Sequence, residues 1–331
     1  MLPPWTAVAA LLFAFALDRC FGEPPARGHP VVWMGRYLTE LGRRIAPRES
    51  SAGTQWPRFW LGALAWCGGA VPVALIAWLL QTHLMRLAGS LDGPPPGSGL
   101  VACLVAGLVL GGLLKPTLSW RMLQREVMAV EAALAQSLDA GRLRLGHLVS
   151  RAVTGLSETE VRESAVESLA ENFNDSVVAP VFWFIVAGLP GAALYRFANT
   201  ADAMWGYRGH RAGAEWEWAG KWAARADDVL SWLPARIAAL LLAVAARGLP
   251  LARLQREAAR TPSPNSGWPM AAMALALDVR LRKAGVYVLN QEGQSAAPAD
   301  THRAVALARR AISALLVCSC AMLLALAVIP W

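Results

Sequence analysis

The stretch ESAVESLAENFNDSVVAPVFWFIVAG, residues 163–188, decides how the chain is built. Its first half sets Glu163, Glu167, Glu171 and Asp175 at four-residue intervals. Residues so spaced share a helix face, and like charges there cost roughly 0.2–0.5 kcal/mol per pair. Its second half, VVAPVFWFIVAG, carries no charge at all. A charged helix in need of a compensating cation therefore runs straight into a segment suited to membrane depth, and helix is the element expected on both sides.

Outward from this junction the composition agrees. Of 331 residues 56% are hydrophobic and 16% charged, and the mean hydropathy is +0.38, a balance of the membrane class. Apolar runs at 2–17, 59–83, 99–114 and 311–329 approach the roughly 17–25 residues of a spanning helix. Two further runs are interrupted: 177–198 by Pro180 and the turn-like Gly188-Leu189-Pro190-Gly191, and 229–246 by Pro234 and Arg236. Such breaks suit re-entrant or broken helices, tolerated only where protein or a water-filled cavity surrounds them. Residues 1–17 lack the basic start and small-residue cleavage site of a signal peptide and are expected to stay as an anchor. Cys20, Cys67, Cys103, Cys318 and Cys320 show no metal-ligand spacing and read as small core residues.

The net charge of +8 comes from Arg spread through loops rather than gathered on one element, which favours positive-inside bias over nucleic-acid binding. The fifteen Trp suit membrane interfaces. If neither broken run spans, loops 18–58 and 115–310 share one side, expected to be cytoplasmic. Arg86, Asp92 and GPPPGSG then face the periplasm of a bacterial inner membrane. Between 115 and 176, QREVMAVEAALAQSLDAGRLRLGHLV has helical apolar spacing, and Ser157 with Glu160 three residues on predicts a capped helix start. Shorter helices joined by TPSPNSGWP are expected over 247–310, with no β pattern. The fold class is all-α: a polytopic membrane protein, one domain over 1–331, with a large cytoplasmic helical portion.

Polar residues cluster at 22–36 (GEPPARGHPVVWMGR), 163–175, 199–211 (NTADAMWGYRGHR), 224–236 (ARADDVLSWLPAR) and 261–269 (TPSPNSGWP). Glu167, Glu171 and Asp175, with the amide of Asn172 beside them, are hard oxygen donors suited to Mg²⁺, which takes one or two carboxylates and fills its shell with water and phosphate. A solvated face balanced by cations such as Arg162 is the alternative. Asp202, with Asn199, Tyr207 and Arg208 nearby, and Asp227 and Asp228 flank the broken runs, where unpaired charge is expensive; the last two could equally cap the helix starting at Val229. Arg196, Arg208, Arg211, Lys221, Arg225 and Arg236 supply a basic complement matched to phosphate. Of the five histidines only His29, in its His-Pro turn, is retained. No P-loop is present: the nearest match, Gly213 to Lys221, has the wrong spacing.

In this order, GEPPARGHPVVWMGR, RAVTGLSETEVRESAVESLAENFNDSVVAPVFW, GLPGAALYRFANTADAMWGY, WAARADDVLSWLPARIAALLL and TPSPNSGWPMAAMA resemble the adenosylcobinamide-phosphate synthases of cobalamin biosynthesis, the CobD/CbiB type. The likeness covers roughly residues 11 to 285. It implies an integral membrane ligase that uses ATP and Mg²⁺ to join adenosylcobyric acid, a corrinoid, to an amino-alcohol phosphate (aminopropanol or ethanolamine phosphate). It also implies lipid contact and leaves room for association with other late-pathway membrane enzymes, with oligomeric state open. On that footing Glu167, Glu171, Asp175, Asp202 and Asp228 are the expected catalytic carboxylates, and Glu171, Asp175, Asp202 and Asp227 the metal ligands. His29, Asn172, Arg196, Asn199, Tyr207, Arg208, Arg236, Ser263 and Asn265 are the expected substrate or phosphate contacts. The sequence departs from the family pattern at Glu23, Ser176, Ser231, Met270, Leu275 and Asp278, and KAGVYVLNQEG replaces a Gly-rich tail. Two other classes compete: a transporter binding solute between broken helices, and a signalling or scaffold relative with a degenerate site.

Overall fold

A computed structural model describes residues 2–47, 53–90 and 98–328; Asp92, most of GPPPGSG and the end of the last apolar run lie outside them. The elements are α1 (Pro4–Phe21), α2 (Pro30–Ile45), α3 (Trp56–Ser90), α4 (Ser98–Leu114), α5 (Trp120–Leu134), α6 (Leu138–Leu145), α7 (Glu158–Phe173), a π-turn (Asn174–Val178), α8 (Ala179–Trp205), β1 (His210–Arg211), β2 (Ala214–Glu215), α9 (Lys221–Ala245), α10 (Leu251–Ala258), α11 (Gly267–Leu277), β3 (Leu281–Lys283), β4 (Tyr287–Leu289) and α12 (Pro298–Val328). Among the described residues six helical runs are long and apolar enough to cross a membrane, those of α1, α3, α4, α8, α9 and α12. The protein is an all-α, multi-pass membrane protein. Its chain divides into two compact units, the first of 1–118, 179–230 and 319–331, the second of 119–178 and 231–318.

In the first unit small residues let backbones meet, the usual device where lipid removes any hydrophobic drive between helices. Gly107 and Gly111 of α4 form a G-x-x-x-G face on α1: a Cβ on Gly107 would lie 2.6 Å from Ala9 Cβ, and one on Gly111 would lie 2.6 Å from the Ala10 carbonyl. Beside them Leu38, Ala198, Ala201, Phe197, Trp205 and Trp216 make an aromatic-rich core, with Trp205 stacked on Trp216 and donating to the Leu38 carbonyl at 3.1 Å. Leu64, Val71 and Ile76 of α3 and Val101 and Val105 of α4 face outward and meet lipid.

The proline-interrupted runs are helices whose freed carbonyls find new partners. Pro180 stands in the first turn of α8 and has no N–H to return to Ser176; the Ser119 N–H takes that carbonyl at 3.1 Å, and the chain passes through the π-turn. Pro234 leaves the Leu230 carbonyl, which accepts from the Trp183 indole at 2.9 Å. Gly188, at φ 69°, breaks α8 outright, and the Leu189 N–H beyond it donates to Gln81 Oε1 of α3 at 2.7 Å.

In the second unit α5, α6, α7 and α11 enclose Val127, Val130, Leu145, Val161, Ala165, Leu169 and Met273. The capping box of Ser157 and Glu160 forms as the spacing predicted. The helical pattern over 124–149 is interrupted at Ser137, whose hydroxyl accepts from the Ala140 N–H and starts α6. Contrary to the expectation of no β structure, two antiparallel hairpins occur: His210–Arg211 with Ala214–Glu215, and Leu281–Lys283 with Tyr287–Leu289. Strands of two or three residues are too short to print an alternation. The cysteines also differ from expectation. Cys20 and Cys318 are exposed and the other three half-buried, Cys67 among them packing against the aromatic-rich core.

Candidate functional site

The acidic helix lies in the second unit, and the protein itself meets the charges of Glu163 and Glu167. Glu163 is fully buried, with Oε2 2.9 Å from Arg282 Nε on β3. Glu167, also buried, accepts from the Tyr287 hydroxyl of β4 at 2.7 Å and stands 3.6 Å from Arg151. Burial, then the Glu167 charge, pushes the Tyr287 phenol well above its ordinary pKa, so it stays a donor through the physiological range. The missing cation for Glu163 and Glu167 is thus supplied by Arg282 and Arg151. Arg162, the suggested surface cation, instead binds Glu131 through Nε at 2.9 and 3.0 Å and Glu158 at 2.5 Å, while Thr301 donates to Glu131.

Further along the same run, Glu171 closes α7 and Asp175 sits in the π-turn, where Asp175 Oδ1 accepts from Asn174 at 2.9 Å. π-turns inside α-helices collect at functional sites because they re-aim side chains by one position. Asn172 donates to the Ser168 carbonyl at 2.9 Å and borders a polar cavity of about 410 Å³ with Arg125, Arg144, His147 and Ser119. Among the described residues no three His, Cys, Asp or Glu side chains converge as a metal group. Glu171 and Asp175, one turn apart, nonetheless fit the donor chemistry of Mg²⁺, which needs few protein carboxylates when phosphate oxygens complete its shell.

The loop TPSPNSGWP is folded on Arg236 of α9. The guanidinium lies 4.3 Å over Trp232 and 4.9 Å from Trp268, and donates to Asn265 Oδ1 at 3.0 Å and the Pro264 carbonyl at 3.2 Å. Ser263 Oγ accepts from the N–H groups of Asn265 and Ser266. As placed, these three residues build the loop rather than project from it.

In the first unit His29 caps α2. Its Nδ1 accepts from the Val31 N–H at 3.2 Å, so the proton resides on Nε2, which donates to Glu23 at 3.0 Å. Glu23 continues to Lys115 at 3.2 Å, and Lys115 to Asp18 at 3.1 Å and the Leu118 carbonyl at 3.0 Å. Asp18 and Lys115 are almost fully buried. Sequence reasoning passed over both, although each directly follows an apolar run, Asp18 that of 2–17 and Lys115 that of 99–114, which was signal enough. Arg196 borders an apolar cavity of about 630 Å³ between α2, α3 and α8, where among the described residues it is the one charged wall. Asn199 and Asp202 lie on the last turns of α8; a Cβ on Gly206 would collide with the Asp202 carboxylate. Arg211 stacks 4.2 Å over Tyr207, Asp228 pairs with Arg225 at 3.8 Å, and Arg208 adds a second positive charge to Asp228. Asp227 lies beside it in the second turn of α9.

Arg151, Tyr287 and Arg282 were also not foreseen. Arg151 opens the stretch RAVTGLSETEV, and the other two stand in the segment that departs from the usual tail.

Comparison with known proteins gives one consistent result. A family profile described as CobD/Cbib protein matches residues 11–315. The probable cobalamin biosynthesis protein CobD of Methanothermobacter thermautotrophicus is 40% identical over 290 residues, 85% of this chain and 86% of that one. The cobalamin biosynthesis proteins CobD of Stutzerimonas stutzeri and Rhodobacter capsulatus are 39% and 36% identical, over 84% and 92% of this chain and 83% and 94% of theirs. No solved structure matches.

Proposed function

The chain belongs to the CobD/CbiB family of cobalamin biosynthesis, and on that premise we propose that it is an ATP- and Mg²⁺-dependent acid–amine ligase. Its substrates would be adenosylcobyric acid and an amino-alcohol phosphate, and its product adenosylcobinamide phosphate. Family membership makes it an enzyme of cobalamin biosynthesis acting on a corrinoid from within a membrane; the reaction and the second substrate are the proposal. The observation that carries it is the pair Glu171 and Asp175, set four residues apart where α7 passes into the π-turn, beside two carboxylates, Glu163 and Glu167, that already have their cations.

A carboxylate does not condense with an amine near pH 7 until its oxygen becomes a leaving group. Phosphoryl transfer from ATP would give a corrin acyl phosphate and ADP. The amine would then attack the acyl carbon, forming the amide, releasing inorganic phosphate and losing one proton. Glu171 and Asp175 would hold the Mg²⁺ of the nucleotide, which would neutralise charge on the transferring phosphate. Glu167, held by Tyr287 and Arg151, would accept the amine proton. Asp202, Asp227 and Asp228 as catalytic or metal groups, and Arg196, Asn199, Tyr207 and Arg208 as phosphate contacts, enter on the resemblance. Asn172 adds an amide at the wall of a cavity that also presents Arg125 and Arg144. His29, Arg236, Ser263 and Asn265 support the reading as builders of the two Pro-rich loops.

Purified protein in detergent, given adenosylcobyric acid, aminopropanol phosphate, ATP and Mg²⁺, is expected to release adenosylcobinamide phosphate with one ADP per amide formed. Absence of product with both aminopropanol and ethanolamine phosphates would refute the ligase. Glu171→Gln and Asp175→Asn are expected to abolish turnover while the protein remains folded.

A further inference from the structure

Arg247, Arg303 and Arg310 line one cavity of about 200 Å³ in the second unit, whose remaining wall includes Ala246, Leu277 and Leu307. Of the three, Arg303 is the one with an ion pair among the described residues, to Asp300 at 2.6 Å. Asp300 offsets Arg303, and the other two guanidinium groups on this small space, Arg247 and Arg310, repel each other unless an anion joins them.

Arg247 also stands where an arginine is hard to place. At the end of α9 the Gly248 N–H donates to the Ala243 carbonyl at 2.8 Å and the Arg247 N–H to the Val244 carbonyl at 2.9 Å, the bond pair of a Schellman ending. That puts Arg247 itself at the left-handed position, φ 68°, which glycine fills without strain. Strain held at a side chain aimed into a cavity points to a use for that side chain.

The level of the cavity is marked twice. Arg247 follows the last apolar turn of α9, and Arg310 immediately precedes the apolar stretch of α12 that begins at Ala311. On the α9 side Leu240 and Val244 are exposed, an outward apolar face suited to acyl chains. Cations at the end of apolar helices, around a partly apolar pocket, match a phosphate carried on a lipid.

We propose that this cavity seats the phosphate of an anionic phospholipid, held by Arg247, Arg310 and Arg303. The site is independent of the ligase reading.

The full chain, reconstituted in phosphatidylcholine vesicles with or without phosphatidylglycerol and re-extracted in mild detergent, is expected to retain phosphatidylglycerol, measured by native mass spectrometry. Arg247→Gly and Arg310→Gln should each weaken retention about fivefold, the effect of one interfacial arginine. Arg309→Gln, a neighbouring charge that bonds Gln124 instead, should leave retention unchanged. Because Arg247→Gly relieves the left-handed strain, its Tm in lipid-free detergent should equal or exceed that of the parent, which separates lost binding from lost folding. Unchanged retention in Arg247→Gly and Arg310→Gln, an equal loss in Arg309→Gln, or displacement of the lipid by inorganic phosphate at matched concentration would each overturn the proposal.

Discussion

Glu163 has no exposure to solvent, and Arg282 is the cation that meets it. Removing one partner of a buried pair is far more damaging than removing both. With Arg282 about a third exposed, Arg282→Ala should cost roughly 2–3 kcal/mol. The double variant Glu163→Gln, Arg282→Ala should recover most of it, read by thermal unfolding in detergent. Tyr287 gives a pH-dependent counterpart. A phenol whose folded pKa is raised contributes stability that is full below its unfolded value, about 10, and that fades as pH climbs beyond it. Stability should therefore fall above that pH, and Tyr287→Phe should flatten the fall, measured as Tm across the alkaline range; an unaltered slope would mean another group titrates there. At this scale the acidic run was legible, because spacing alone fixes which carboxylates share a face. Its partners were not, since Tyr287 lies 120 residues from Glu167 and a short hairpin, invisible to periodicity, brings it there.

Helices were the legible elements. Each apolar run became one, and the Ser157–Glu160 box began α7 where the spacing placed it. Ser157→Ala removes that cap and should cost about 1 kcal/mol, measured by thermal unfolding; a change near zero would mean that packing alone holds the start of α7. The α1–α4 contact offers a matched pair on one helix. Gly111 faces the Ala10 backbone, whereas a Cβ on Gly112 would meet nothing within 4 Å. Gly111→Leu should destabilise by about 1–3 kcal/mol as an overpacked contact, and Gly112→Leu should be nearly neutral; equal effects would show that the face does not pack as described. What could not be read in advance was how a proline-bearing run stays helical. That depends on which remote group, the Ser119 amide or the Trp183 indole, fills the carbonyl that proline abandons.

Across the molecule, the side on which residues 206–220 emerge follows from whether α8 and α9 cross. If α8 and α9 both cross, this loop lies opposite 115–176; if neither does, it lies on the same side. ATP supply predicts that cysteines introduced over 120–156, 251–297 and 206–220 are all labelled from the cytoplasm, and periplasmic labelling of 206–220 would remove Tyr207 and Arg208 from the proposed site. Composition announced the membrane class at once, but span number resists it, because length and hydropathy do not tell a crossing from a turn. The brace between Gln81 and the break at Gly188 carries a consequence for how the chain is made. The ribosome delivers α3 long before α8, so the Gln81 amide enters the bilayer ahead of the N–H it will serve, 108 residues downstream. Biogenesis thus has a fixed order, in which the second half of α8 settles only against an α3 already in place.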